Sequence, residues 1–209
     1  MRWLLLLLLL SGTALAERVT GRVTVMKDGA PKGDRSGVVV YVEGAKATAP
    51  ATRPRIMQKE QQFEPRLTVI EKGATIDFPN RDKIFHNVFS VSDAAKFDLG
   101  LYKSGESKSV TFKRAGVVDV YCNIHPNMIA KVKIVDGPYA VTAADGSFAI
   151  ADVAPGTYPI VAWQAAGPEW RGEVKVEAGQ AAQVAIELVE GKAETGHQRK
   201  DGTPYGRYK

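Results

Sequence analysis

Short runs of alternating apolar and polar residues recur along most of the chain, and they leave little room for anything but β-sheet. Val19, Gly21, Val23 and Val25 alternate with polar residues, as do Leu67 and Val69, Ile76 and Phe78, and Val110 and Phe112. The rhythm returns at Val132 and Ile134, Phe148 and Ile150, Val174 and Val176, and Val184, Ile186 and Leu188. Successive side chains of a strand point to opposite faces, so a period of two puts one face in a core and the other in water. Turn residues punctuate the runs at Lys27-Asp28-Gly29, Asp136-Gly137-Pro138, Asp145-Gly146 and Pro155-Gly156, as expected between strands. No helical period of useful length follows residue 16. The chain is therefore expected to be all-β, with one large or two small cores in its roughly 190 residues beyond that point.

The first residues predict export. Arg2 precedes an unbroken apolar run from Leu4 to Leu10, and Ala14-Leu15-Ala16 offers small residues at a cleavage position. This is the pattern of a signal peptide, residues 1–16, removed after Ala16. The run is too short to span a bilayer, and no other stretch is long enough. The expected product is periplasmic or otherwise secreted, with no membrane span.

An exported chain meets oxidising conditions, where cysteines usually come in disulfide pairs. This chain has one cysteine. Cys122 sits in Tyr121-Cys122-Asn123-Ile124-His125-Pro126-Asn127-Met128, with a second histidine upstream in Phe85-His86-Asn87-Val88. A leftover cysteine is an intermolecular partner, a reactive thiol or a ligand, or a small buried hydrophobe. Two imidazoles, one thiolate and a more distant thioether form the ligand set of a mononuclear blue-copper electron-transfer site. A strand ending at Cys122 would deliver the thiolate to a sheet edge. A short turn would return His125 and Met128 to the same point, and His86 would close the set. Zinc gains little from a thioether, so copper is expected, held by His86, Cys122, His125 and Met128.

The surrounding segment supports a family assignment. Residues 56–136 contain Phe63-Glu64-Pro65-Arg66-Leu67-Thr68-Val69, Gly73-Ala74-Thr75-Ile76-Asp77-Phe78-Pro79-Asn80, His86-Asn87-Val88-Phe89-Ser90 and Ala115-Gly116-Val117 before the cysteine loop. The segment resembles the cupredoxins, in their plastocyanin and amicyanin branch, and the Cys-x2-His-x2-Met spacing is similar to the short loop of amicyanin. The resemblance implies one type 1 copper centre. It gives Asn87 the task of tying the two ligand loops together, with Asn123 also beside the ligands. It makes His125 the electron port, with Pro126, Asn127 and Ile129 lining a docking patch. Two positions depart from the family pattern: Ile124 stands where Pro is often found, and Asn123 where Ser or Thr is common.

The flanks resemble a second family. Gly21-Arg22-Val23, Gly29-Ala30-Pro31 and Val38-Val39-Val40-Tyr41-Val42 precede the copper segment, and 139–150 with Val153-Ala154-Pro155-Gly156-Thr157-Tyr158 follow it. They are similar to the carboxypeptidase regulatory-like, transthyretin-like sandwich. The expected architecture is two Greek-key β-sandwiches, the cupredoxin inserted into the second one. The parts are 17–49, the cupredoxin 56–136, and 137–190, with connectors at Ala45–Pro54 and Gly137-Pro138. The rival is a tandem order in which 19–44 supplies extra cupredoxin strands. Trp163 and Trp170 are core or a binding surface, such as a sugar-binding face.

Composition excludes several functions. The formal net charge of +5 falls to +4 without Arg2, and residues 191–209 carry +3 of that. No basic stripe with interleaved aromatics supports nucleic-acid binding. The polar, Gly-rich tail is expected to be disordered, with His197 an ordinary exposed histidine. Three histidines and one cysteine cannot build a trinuclear copper cluster, a dinuclear copper centre or a zinc peptidase site. The expectation is therefore a non-enzymatic electron carrier between a redox donor and acceptor, such as a periplasmic dehydrogenase, cytochrome or oxidase. The alternatives are copper storage or delivery, which the few methionines disfavour, and a structural surface module.

Overall fold

The computed structural model describes residues 17–46, 53–192, 200, 201 and 203. The expected signal peptide lies outside the described residues, as do His197, most of the expected tail and the middle of the first connector. Every regular element described is a strand, and no helix is long and apolar enough to cross a membrane.

The first strands are β1 (Arg18–Lys27), β2 (Ala30–Pro31) and β3 (Val39–Val42). A middle group follows: β4 (Met57–Lys59), β5 (Gln62–Glu64), β6 (Leu67–Glu71), β7 (Thr75–Pro79), β8 (His86–Ser90), β9 (Phe97–Tyr102), β10 (Ser107–Thr111), β11 (Gly116–Tyr121) and β12 (Ile129–Val135). The last are β13 (Tyr139–Val141), β14 (Ser147–Ala151), β15 (Gly156–Trp163), β16 (Trp170–Val176) and β17 (Ala181–Val189).

Strands from the two ends of the chain pair with each other. β1 lies between β14, antiparallel, and β17, parallel. β3 lies between β13 and β15, both antiparallel, and β16 extends that sheet. Val39–Val42 thus pairs with strands that follow the middle group, not with the middle group itself. Val19, Val23 and Val25 of β1 meet Val40 and Val42 of β3, Ile160, Ile186 and Leu188 in one core. The middle group forms its own sheets, in the orders β6-β12-β11-β8-β9 and β10-β7, with the β4-β5 hairpin alongside. Its core holds Ile56, Phe63, Ile70, Ile76, Phe78, Phe112, Val118, Val120, Val132 and Ile134, and it includes Cys122 and Met128.

A third cluster joins the two sandwiches, and here simple alternation fails. Val39, Tyr41, Val161 and Trp163 of the outer sandwich pack on Val135, with Leu67, Val69 and Val117 against them. The second face of these strands is covered by protein rather than water. β3 is therefore buried at every residue, and β12 at Val132, Lys133, Ile134 and Val135. Lys133, a position that alternation assigns to solvent, is only 3 % exposed. Its ammonium lies 5.3 Å from the Tyr41 ring centroid and 5.1 Å from that of Trp163, and pairs with Glu169 at 2.6 Å. A desolvated ammonium needs such partners, since an unpaired buried charge is costly. Burial, reinforced by the charge of Glu169, pushes the Tyr41 hydroxyl up to about 12. Trp163 belongs to this joint, and Trp170 packs half-buried on the outer core.

Candidate metal centre

The ligand loop is closed by its own backbone. The His125 carbonyl accepts the Met128 N–H at 3.1 Å, a turn with Pro126 at its second position, where the fixed φ of proline is favoured. The Cys122 N–H donates to the Met128 carbonyl at 3.3 Å. The chain therefore leaves β11 at Tyr121 and enters β12 at Ile129 with 122–128 folded back at the sheet end. β8 lies beside β11, pairing through Phe89 and Tyr121, and brings His86 to the same end.

Three of the sequence-predicted residues converge. The Nδ1 atoms of His86 and His125 are 3.1 Å apart, and His125 Nδ1 is 3.7 Å from Cys122 Sγ. One ligand atom from each residue lies within 4.8 Å of the other two, the one such group among the described residues. His86 and Cys122 are fully buried and His125 is half-buried. Met128 is fully buried in the same loop.

The electrostatics suit a cation. Burial pushes the Cys122 thiol up, but hydrogen bonding from His86 and from the backbone N–H groups of Asn87, Ile124 and His125 brings it below the ordinary thiol value. Burial pushes the His86 imidazole down, while its bonds to Cys122 and Asp82 raise it above the ordinary value overall. His125 is held low by burial and then by His86. Two imidazoles facing each other through the same nitrogen need a shared proton or a shared cation between them. Two imidazole nitrogens and a thiolate, dry and convergent, match the soft and borderline donors that copper takes in electron-transfer sites.

The sequence reading missed the residues that aim His86. Asp82 Oδ2 lies 2.7 Å from His86 Nε2, fixing the ring so that Nδ1 faces the site. The same carboxylate accepts the N–H of Glu60 at 2.6 Å and of Gln61 at 2.9 Å. Those two residues form the tip of the β4-β5 hairpin with φ of 54° and 56°. Burial raises the Asp82 carboxyl, but these bonds hold it below its ordinary value. Asn80, fully buried, donates to the carbonyls of Ile84 and Tyr102 and accepts the N–H of Asp82. In sequence, 80–83 reads as a polar turn, and nothing in its spacing marks a ligand support.

Asn87 Oδ1 accepts the N–H of Asn123 at 3.3 Å, bridging the two ligand loops. Its Nδ2 donates to Asp98 at 2.7 Å. Of the residues expected to line a docking patch, Asn127 is exposed and Pro126 and Ile129 are half-buried. The structure adds apolar surface beside His86: Ile84 and Phe85 directly before it, and Leu101, which pairs with Asn87, are 41 %, 57 % and 59 % exposed.

Comparison with known proteins follows these boundaries. Residues 52–135 match the family model of copper binding proteins, plastocyanin/azurin family. Residues 136–184 match polysaccharide lyase family 4, domain II, which is compatible with a second β-sandwich. No curated protein matches the chain. Among solved structures, a Cu(I) amicyanin variant is 22 % identical over 46 % of this chain and 97 % of its own, with a TM-score of 0.37. A second, reduced amicyanin variant is 24 % identical over the same shares, at 0.38. A purple cupredoxin from Nitrosopumilus maritimus is 22 % identical over 39 % of this chain and 98 % of its own, at 0.35. Over residues 52–135 the chain is thus similar to copper binding proteins of the plastocyanin/azurin family, and His86, Cys122 and His125 of that stretch are placed to hold a metal.

Proposed function

We propose that this protein is an exported single-electron carrier with one type 1 copper centre, passing electrons between periplasmic redox partners. The observation that carries this reading is the convergence of His86 Nδ1, His125 Nδ1 and Cys122 Sγ at one largely buried point. Copper, when bound, supplies the one-electron couple. The chain supplies rigidity: the 122–128 loop is closed on itself, and Asp82 and Asn80 hold His86 from behind. A site whose ligands are held by the fold changes little between oxidation states, and the protein's part is to bind, orient and exclude water.

In this reading Met128 would supply a fourth, weaker ligand, favoured by its complete burial in the loop that ends at the site. His125 is the electron port, being the most accessible of the three converging residues. Ile84, Phe85 and Leu101 join Pro126, Asn127 and Ile129 as the docking surface, because exposed apolar side chains beside a buried centre suit a transient partner. The partner is a redox protein, such as a dehydrogenase, cytochrome or oxidase, and the chain itself is non-enzymatic. The cupredoxin is inserted into a carboxypeptidase regulatory-like sandwich, supported by the pairing of β1 and β3 with strands after the copper segment. Residues 1–16 serve as the signal peptide.

Copper titration tests the reading. One equivalent per chain, with an intense visible thiolate-to-copper band absent from Cys122→Ala, is the expected result. A colourless complex that holds Cu(I) and does not cycle would make the protein a copper store or carrier instead.

A further inference from the structure

Each of the two asparagines that follow a ligand belongs to a ring of hydrogen bonds, and a residue from the far C-terminus completes it. Asn123 donates its N–H to Asn87, and Asn87 donates through Nδ2 to Asp98 Oδ1. Lys200 Nζ pairs with Asp98 Oδ2 at 2.7 Å. The Lys200 backbone N–H donates to Asn123 Oδ1 at 3.1 Å. The ring thus runs from Asn123 to Asn87, Asp98, Lys200 and back to Asn123. Just beyond it, Asp201 Oδ1 accepts both the N–H and the hydroxyl of Thr203, at 3.0 and 2.7 Å.

Lys200 is 77 residues from Asn123 and 102 from Asp98 in sequence. It lies beyond β17, and none of the three core clusters includes a described residue after Leu188. Its two bonds instead land on Asn123, one of the two asparagines that link the His86 loop to the Cys122 loop, and on Asp98, which accepts from the other.

We propose that Lys200 is a clasp that fastens the two ligand loops together, making it a positioning residue for the metal centre. Both members of the ion pair are exposed by 40 % or more, so salt weakens the clasp and it opens and recloses readily. The role of the clasp in copper chemistry rests on the function proposed above, but the clasp itself is defined without metal.

The test is amide hydrogen exchange on the metal-free protein, comparing the full chain with one ending at Gly191. Losing two hydrogen bonds should speed exchange at Asn87, Asn123, Ile124, His125 and Asn127 by about threefold to tenfold, with the cores of both sandwiches unchanged. Lys200→Ala, which keeps the backbone donor, should give a smaller increase, and Lys200→Arg should restore the slow rate. Exchange at these loops that is identical in the full and shortened chains would overturn the clasp. Lys200→Ala and Asp98→Asn decide the matter if the shortened chain folds poorly: unchanged loop exchange in both would overturn it equally. A clasp that fails while the visible copper band persists leaves the electron-carrier reading standing. A clasp that holds in a chain giving no such band overturns that reading alone.

Discussion

Lys133→Ala tests whether the two sandwiches are welded into one body. The ammonium is 3 % exposed, faces two aromatic rings at 5.1 and 5.3 Å, and pairs with Glu169 at 2.6 Å. Removing one member of a buried pair costs about 3–5 kcal/mol when the remaining charge stays buried. Glu169 is 31 % exposed and can recover part of its hydration, which lowers that figure. Two partly desolvated cation–π contacts add about 0.5–2 kcal/mol. The net expectation is a loss of about 2–4 kcal/mol, or roughly 4–16 °C in Tm at 2–4 °C per kcal/mol for a chain of this size. The assay is thermal and denaturant unfolding of the metal-free protein, followed by tryptophan fluorescence, since Trp163 reports on the joint. Lys133→Met fills the slot without a charge and should recover most of the stability. A Lys133→Ala protein within 0.5 kcal/mol of the parent, the range of ordinary surface substitutions, would refute the reasoning. So would two separate transitions already present in the parent, because the joint would then not couple the sandwiches.

Asp82→Asn removes the carboxylate behind His86, which should weaken Cu(II) binding about 10- to 100-fold by competition titration and raise the reduction potential, since a less basic imidazole favours the oxidised state less. Gly21→Ala places a methyl 2.0 Å from the Val184 carbonyl and 2.8 Å from the Phe148 ring; it should cost about 1–3 kcal/mol in denaturant melts while leaving the visible copper band intact. Asp77 is held at about 2 by hydrogen bonds from Arg53 and then Ser109. A depressed carboxyl stabilises the fold above its unfolded value near 3.8, and that contribution is lost as pH falls from about 4 towards 2. Arg53 is largely exposed, so Asp77→Asn should flatten the acid limb of a pH-stability curve by no more than about 1 kcal/mol.

The strands and the ligands were legible in the sequence for different reasons. Alternation marks a strand wherever one face is solvated, as in β14, with Phe148 and Ile150 buried while Ala149 and Ala151 are exposed. It misleads where the second face meets another sheet. Leu67 and Val69 read as a core face, yet Thr68 and Ile70 are the buried residues of β6, while Leu67 and Val69 support the joint between sandwiches. Period alone cannot say which of two faces a distant strand will cover. Lys133 is the sharper case: a charged residue at a nominally solvated position is buried because Tyr41, Trp163 and Glu169 arrive from 30 to 92 residues away in sequence. The ligands were readable because thiolate and imidazole are rare in this chain and closely spaced. Asp82 was not, because a carboxylate four residues before a histidine is ordinary in a turn, and only the fold turns it towards Nε2.

Electron carriage by this chain requires that His86, Cys122 and His125 hold a copper ion that cycles by one electron. Spectroelectrochemistry of the copper-loaded full chain tests it most directly. The expected result is an intense visible band that bleaches on uptake of one electron per chain and returns fully on reoxidation, over repeated cycles. A chain that binds copper but gives no such band, or loses the metal on reduction, would contradict it.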